Sequence, residues 1–137
     1  MSKKMASAIH REFPTITVRV FAFLTSEFGM HGPEIQEIVI PSVIFSLDGL
    51  RYQVSLDTQS YDVATGVYLE LQGKGIGAEL ERLAFSLGAG KRGQLSYRAN
   101  NLTVLQKSLI SQADLLRKVH PFMLADDRVQ LMQRALA

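Results

Sequence analysis

The chain has no cysteine and no tryptophan, only four prolines, and no stretch of about 18 uninterrupted apolar residues. Without cysteine there is no disulfide framework, no thiolate metal site and no cysteine nucleophile. Its absence is compatible with the cytoplasm but does not fix the compartment. The longest apolar piece, Val20 to Leu24, runs at once into Thr25, Ser26 and Glu27. No spanning helix is expected, and M-S-K-K-M-A-S-A-I-H at the start lacks the apolar core of a signal peptide. Runs of four basic residues are also missing, Lys91-Arg92 being the densest patch, so nucleic acid is not the expected partner. The expectation is a cytoplasmic protein without a membrane segment.

What the chain does have is enough apolar material for a core. Its 137 residues are 47% hydrophobic and 20% charged, which suits one folded domain over 1–137, with residues 1–10 expected to be flexible. Charge is uneven. Residues 1–72 carry five Lys/Arg against eight Asp/Glu, a net −3, while residues 73–137 carry ten against five, a net +5. Such a basic half can mark an anionic partner, or simply helices with solvated Lys and Arg.

Along the chain, residues 14–28 fit two patterns. Phe13, Ile16, Val20, Leu24 and Phe28 share a helical face, with Pro14 suited to a first turn and Gly29 to a cap. Ile16, Val18, Val20, Ala22 and Leu24 also alternate as in a strand. The bracketing Pro and Gly favour helix. His31-Gly32-Pro33 reads as a turn, and residues 34–40 as a short strand ending before Pro41.

Asp48-Gly49 is a strong hairpin signal, because both central residues need positive φ. It pairs Leu47 with Leu50, Phe45 with Tyr52 and Val43 with Val54 on one face, leaving Ser46, Arg51, Gln53 and Ser55 on the other. Val63, Thr65, Val67, Leu69 and Leu71 alternate in a further strand. Residues 76–87 take helical spacing, and Asn100 or Asn101 can cap a long helix striped by Leu102, Leu105, Leu109, Ala113 and Leu116. Pro121 is expected to stop it, and Asp126 or Asp127 to start a last helix. The order predicts an α+β domain: an N-terminal helix, an antiparallel sheet of three to four strands, and two to three C-terminal helices packed on one face.

Reactive groups do not gather in the sequence. His10, His31 and His120 are far apart and form no i, i+4 pair, so no metal site is expected. His120, beside Pro121, reads as a helix-end residue suited to the dipole. Asp126 and Asp127 read as capping groups, and Tyr61, Tyr68 and Tyr97 as packing residues. No catalytic residue is assigned.

Gln72-Gly73-Lys74-Gly75-Ile76-Gly77 resembles the pyrophosphate loop of the GCN5-related acetyltransferase family, written Q/R-x-x-G-x-G/A. That resemblance implies acetyl-coenzyme A bound by backbone amides between a strand and a helix, hence an acyl-CoA-dependent N-acyltransferase. The family's two further strands have no counterpart in residues 102–136, which read as helix. The alternative is that the glycines form a flexible strand-to-helix joint. A second resemblance is broader. F-x-F-L-x-x-x-F-G-M at 21–30, followed by L-R-Y-Q-V-S-L-D at 50–57, is similar to small bacterial α+β proteins, some of them immunity proteins. It implies a non-catalytic module without a cofactor, working by protein–protein contact. Arg51, Gln53, Tyr68 and Glu70, on the outer face of the sheet, are then the candidate partner-binding residues.

Overall fold

A computed structural model describes residues 1–137. Helix α1 (Lys3–Val20) is followed by a single turn, α2 (Phe23–Ser26). Five strands come next: β1 (His31–Gln36), β2 (Ser42–Leu47), β3 (Leu50–Asp57), β4 (Asp62–Leu71) and β5 (Lys74–Glu79). Three helices close the chain: α3 (Leu80–Ser86), α4 (Leu102–Met123) and α5 (Arg128–Leu136). The strands form one antiparallel sheet in the order β1-β2-β3-β4-β5. The α+β class stands, with five strands rather than three to four.

The region open to two readings is helical, and it starts earlier than its proline suggests. Ser2 caps α1, its Oγ accepting from the Met5 amide at 3.0 Å, and residues 3–10 form its first turns. Ile9, Phe13 and Ile16 then form the buried stripe. Pro14 lies inside α1, where it removes the bond to His10, an exposed residue whose carbonyl water can satisfy. Gly29 at φ +67° turns the chain out of α2, as its sequence position suggests.

At Asp48-Gly49, φ values of +50° and +80° make the expected hairpin, and the register is the one read from the sequence. Leu50, Tyr52, Val54 and Leu56 are buried, while Arg51 is exposed. The segment after β4 departs from expectation. Gln72 and Gly73, at φ +51° and +78°, form a second two-residue hairpin turn, which sends Lys74–Glu79 back along β4 as a fifth strand. Ile76 and Ala78 alternate onto the dry face opposite Leu69 and Val67. The helix expected over 76–87 is only Leu80–Ser86. The spacing of Ile76, Leu80 and Leu83 mimics a helical stripe across a strand–helix junction.

The start of the sheet also differs. His31, Gly32 and Pro33 belong to β1, with a bulge between His31 and Glu34 and a cis Gly32–Pro33 bond. β1 stops at Gln36 because Val39 turns to φ +70°, and Ile40 N–H donates to the Ile38 carbonyl at 2.9 Å. That is a γ-turn of the rarer hand, strained for a β-branched residue by about 1–3 kcal/mol.

One cluster of 31 buried apolar residues joins the dry face of the sheet to the helices. α1 packs along α4 and against β2, and α4 also meets β4. α3 and α5 pack together beside β5. Asn101 caps α4 through Oδ1, 2.8 Å from the Val104 amide, and the predicted stripe faces inward. Pro121 sits in the last turn of α4 without stopping it, since the helix continues to Met123. A buried polar knot fixes the long α3–α4 connection. Gln112 Nε2 donates to the carbonyls of Val63 (2.9 Å) and Ser96 (3.0 Å), and its Oε1 accepts from Thr65 Oγ1 (2.8 Å). Backbone bonds from Val63 to Tyr97 and from Ala99 to Tyr61, both 2.8 Å, lay that connection along β4 where β5 has ended.

Replacing Gln112 by Leu strands the Thr65 hydroxyl and the Val63 carbonyl in the core, and should cost about 3 kcal/mol. Urea denaturation checks this. A loss well below about 1 kcal/mol would show that water or relaxation satisfies those groups instead.

Candidate functional site: the open face of the sheet

Because every helix packs on the dry side, the other face of the sheet stays open. The ladder registers set one row across all five strands: His31, Ser46, Arg51, Tyr68 and Gly77. The Arg51 guanidinium lies 4.7 Å from the centre of the Tyr68 ring, a cation–π pair between directly opposed residues. Tyr68 lies flat because its neighbours are glycines. A Cβ on Gly66 would sit 2.7 Å from the ring, and one on Gly77 would meet it closer still. Gln53 stands opposite Ile44 and Gly66, its Nε2 donating to Ser42 Oγ (3.3 Å) and Ser55 Oγ (3.4 Å). Glu70 is exposed opposite Gly75.

Arg51, Gln53, Tyr68 and Glu70 therefore share one face, as the register read from the sequence requires. Arg51, Tyr68 and Glu70, with His31 and Lys74, also line an open concavity of about 430 Å³ near the two hairpin turns. Gln53 lies just beyond it. His31 and Lys74 were not grouped with them in the sequence. The bulge in β1 and the second hairpin bring them there.

The glycine segment is built differently from a phosphate loop between strand and helix. Gln72 and Gly73 occupy the turn, and Lys74, Gly75, Ile76 and Gly77 are strand residues paired with Leu71, Glu70, Leu69 and Tyr68. Ala78 and Glu79 separate Gly77 from α3. Beyond residue 101 the chain is α4 and α5.

His120 is near the end of α4, but it faces the core and is only 1% exposed. Its ring stacks on Phe28 at 4.3 Å, and Nδ1 lies 2.6 Å from the Tyr52 hydroxyl. The reading as a charged helix-end residue gives way to a neutral one, since burial lowers its pKa and raises that of Tyr52. The other ring nitrogen, Nε2, has no hydrogen-bond partner. Tyr97 is pushed up to about 12, by burial and then by Glu81 and Glu79. Asp127 occupies the N-cap position of α5 but makes no side-chain capping bond, and Asp126 beside it is exposed. No group of three or more His, Asp or Glu side chains is placed to hold a metal ion. No helix is long and apolar enough to cross a membrane.

Geometry thus defines an α+β domain that backs one sheet face with helices and presents the other, bearing a stacked Arg–Tyr pair. Comparison with known proteins finds no match to this chain among family models, curated proteins or solved structures.

Two outcomes are expected. His120 has a depressed folded pKa, so its contribution to stability is complete above the unfolded value of 6.5 and is lost as pH falls below it. The melting temperature should fall from pH 7 towards pH 5.5, and His120→Gln should flatten that slope. An unchanged slope would assign the acid sensitivity to other groups. Since Gly75 and Gly77 are paired in the β4–β5 ladder, millimolar acetyl-coenzyme A should leave the melting temperature unmoved. A shift abolished by bulky residues at those two positions would restore the pyrophosphate-loop reading.

Proposed function

We propose that the protein is a non-catalytic binding module that acts through protein–protein contact, of the immunity type met among small bacterial proteins. The observation that carries this reading is the open sheet face with its Arg51–Tyr68 stack. Tyr and Arg are the side chains that most often dominate interface energetics, and here each is held in place before any partner arrives. Glycines under the ring and strand pairing beneath the guanidinium reduce the ordering cost of binding. Glu70, exposed one ladder position from Arg51 and Tyr68 on the same face, adds a charge beside the stack, which suits a rim that sets orientation more than affinity. Gln53 offers an amide beside it. On this reading the partner is another protein, no cofactor takes part, and the work is done in the cytoplasm of a bacterium.

Tagged chain expressed in its native host should recover an equimolar protein partner. Arg51→Ala and Tyr68→Ala should each weaken that complex by about 2 kcal/mol, roughly 30-fold, while leaving the circular dichroism spectrum unchanged. A chain recovered alone, or a complex indifferent to both substitutions, would overturn the reading.

A further inference from the structure

Ile38, Val39 and Ile40 are 87, 91 and 52% exposed, three consecutive large apolar residues standing in water beside the edge strand β1. The strained γ-turn at Val39 thrusts them out, and the turn is pinned behind them: the Pro41 carbonyl accepts from the Leu56 amide at 2.9 Å. Scattered apolar residues on a surface need no explanation, but a contiguous apolar tip marks a contact site. Val39 and Ile40 form one wall of an open groove of about 580 Å³. Ser55, Asp57, Gln59, Asp62 and Ala64 are on its other side. Ser55 and Ala64 are paired across β3 and β4, so the groove extends the face that carries Gln53 and Tyr68.

Both charged residues lining the groove are acidic, and neither Asp57 nor Asp62 takes part in an ion pair. Asp57 is held ionised by the Gln59 and Ser60 amides, at 2.8 and 3.2 Å from its Oδ1. Glu34 and Glu37 carry the same sign along β1 and just past its end. The neighbouring cation is Arg98, paired with Asp62 at the backbone. This charge selects the occupant. A second copy docking the same patch about a two-fold axis would set these carboxylates against their own equivalents. An anionic lipid surface would meet the same repulsion.

Resting on the reading of the protein as a binding module, we infer that the groove takes an extended partner segment carrying Lys or Arg beside apolar side chains. The apolar side chains pack on Val39 and Ile40, and the cations meet Asp57 and Asp62.

Fluorescence anisotropy on the full chain tests this with three labelled peptide probes that alternate Val with Lys, Val with Glu, and Val with Ser. The Lys–Val peptide should bind about ten-fold or more tighter than the Glu–Val peptide, and less tightly as salt rises. Affinity should drop about ten-fold or more in Val39→Gly and in the Asp57→Asn, Asp62→Asn double variant. Val39→Gly removes a strained φ, so its melting temperature should hold or rise, and Asp57→Asn keeps a side-chain acceptor for its turn. Equal binding of the three peptides, or no binding, would overturn the inference. So would sedimentation showing a dimer that Val39→Gly disperses. A natural partner that ignores Val39→Gly but is lost with Tyr68→Ala would overturn the groove alone and leave the open-face reading standing.

Discussion

An antiparallel sheet whose apolar side chains are sorted mainly to one side needs cover on that side, and this constraint organises the rest of the molecule. Val43, Phe45, Leu50, Tyr52, Val54, Val63, Val67 and Leu69 all point one way. Covering them requires α1 and α4 to lie together on that side. The connection into α4 must then cross the end of β4, where its backbone would be stranded without Gln112 and the short ladder at Tyr97 and Ala99. The same constraint creates the open face. Helices recruited to one side leave the other to strand registers alone.

Much of this was legible because its determinants are local. Asp48-Gly49 sets a turn type, the turn sets a register, and the register sorts Arg51, Gln53, Tyr68 and Glu70 onto one face. Asn101 and the α4 stripe are local signals as well. What escaped reading is of two kinds. The second hairpin places Gln72, not Asp or Asn, at positive φ, and Val39 adopts a conformation that its side chain disfavours. Neither residue announces its turn, so periodicity alone gives helix at residues 76–79, where β5 runs, and carries β1 past Gln36. The remaining omissions join distant positions: Tyr52 with His120, Thr65 with Gln112, and Glu27 with Arg117 through two bonds of 2.9 and 3.1 Å. No sequence period encodes such pairs.

The open face is electrically uneven. Arg51 and His31 gather near the two hairpin turns, with Glu70 and Asp48 among them, whereas the groove beside Val39 presents only Asp57 and Asp62. The acidic first half of the chain thus has a spatial counterpart in the groove end. A partner lying along the strands would meet a mixed cluster at one end and carboxylates at the other, which fixes its direction as well as its position.

The packing of α1 on α4 has a consequence for synthesis. The meander is built from neighbouring hairpins and can form as soon as each strand leaves the ribosome. Its dry face is then only partly sheltered, by α1 against β2, because α4 ends roughly forty residues after β5. At translation rates of roughly 5–20 residues per second, the β3–β4 surface waits for several seconds without its cover. During that interval the nascent chain is a sheet with an exposed apolar side. The last helices to be made are the ones that close it.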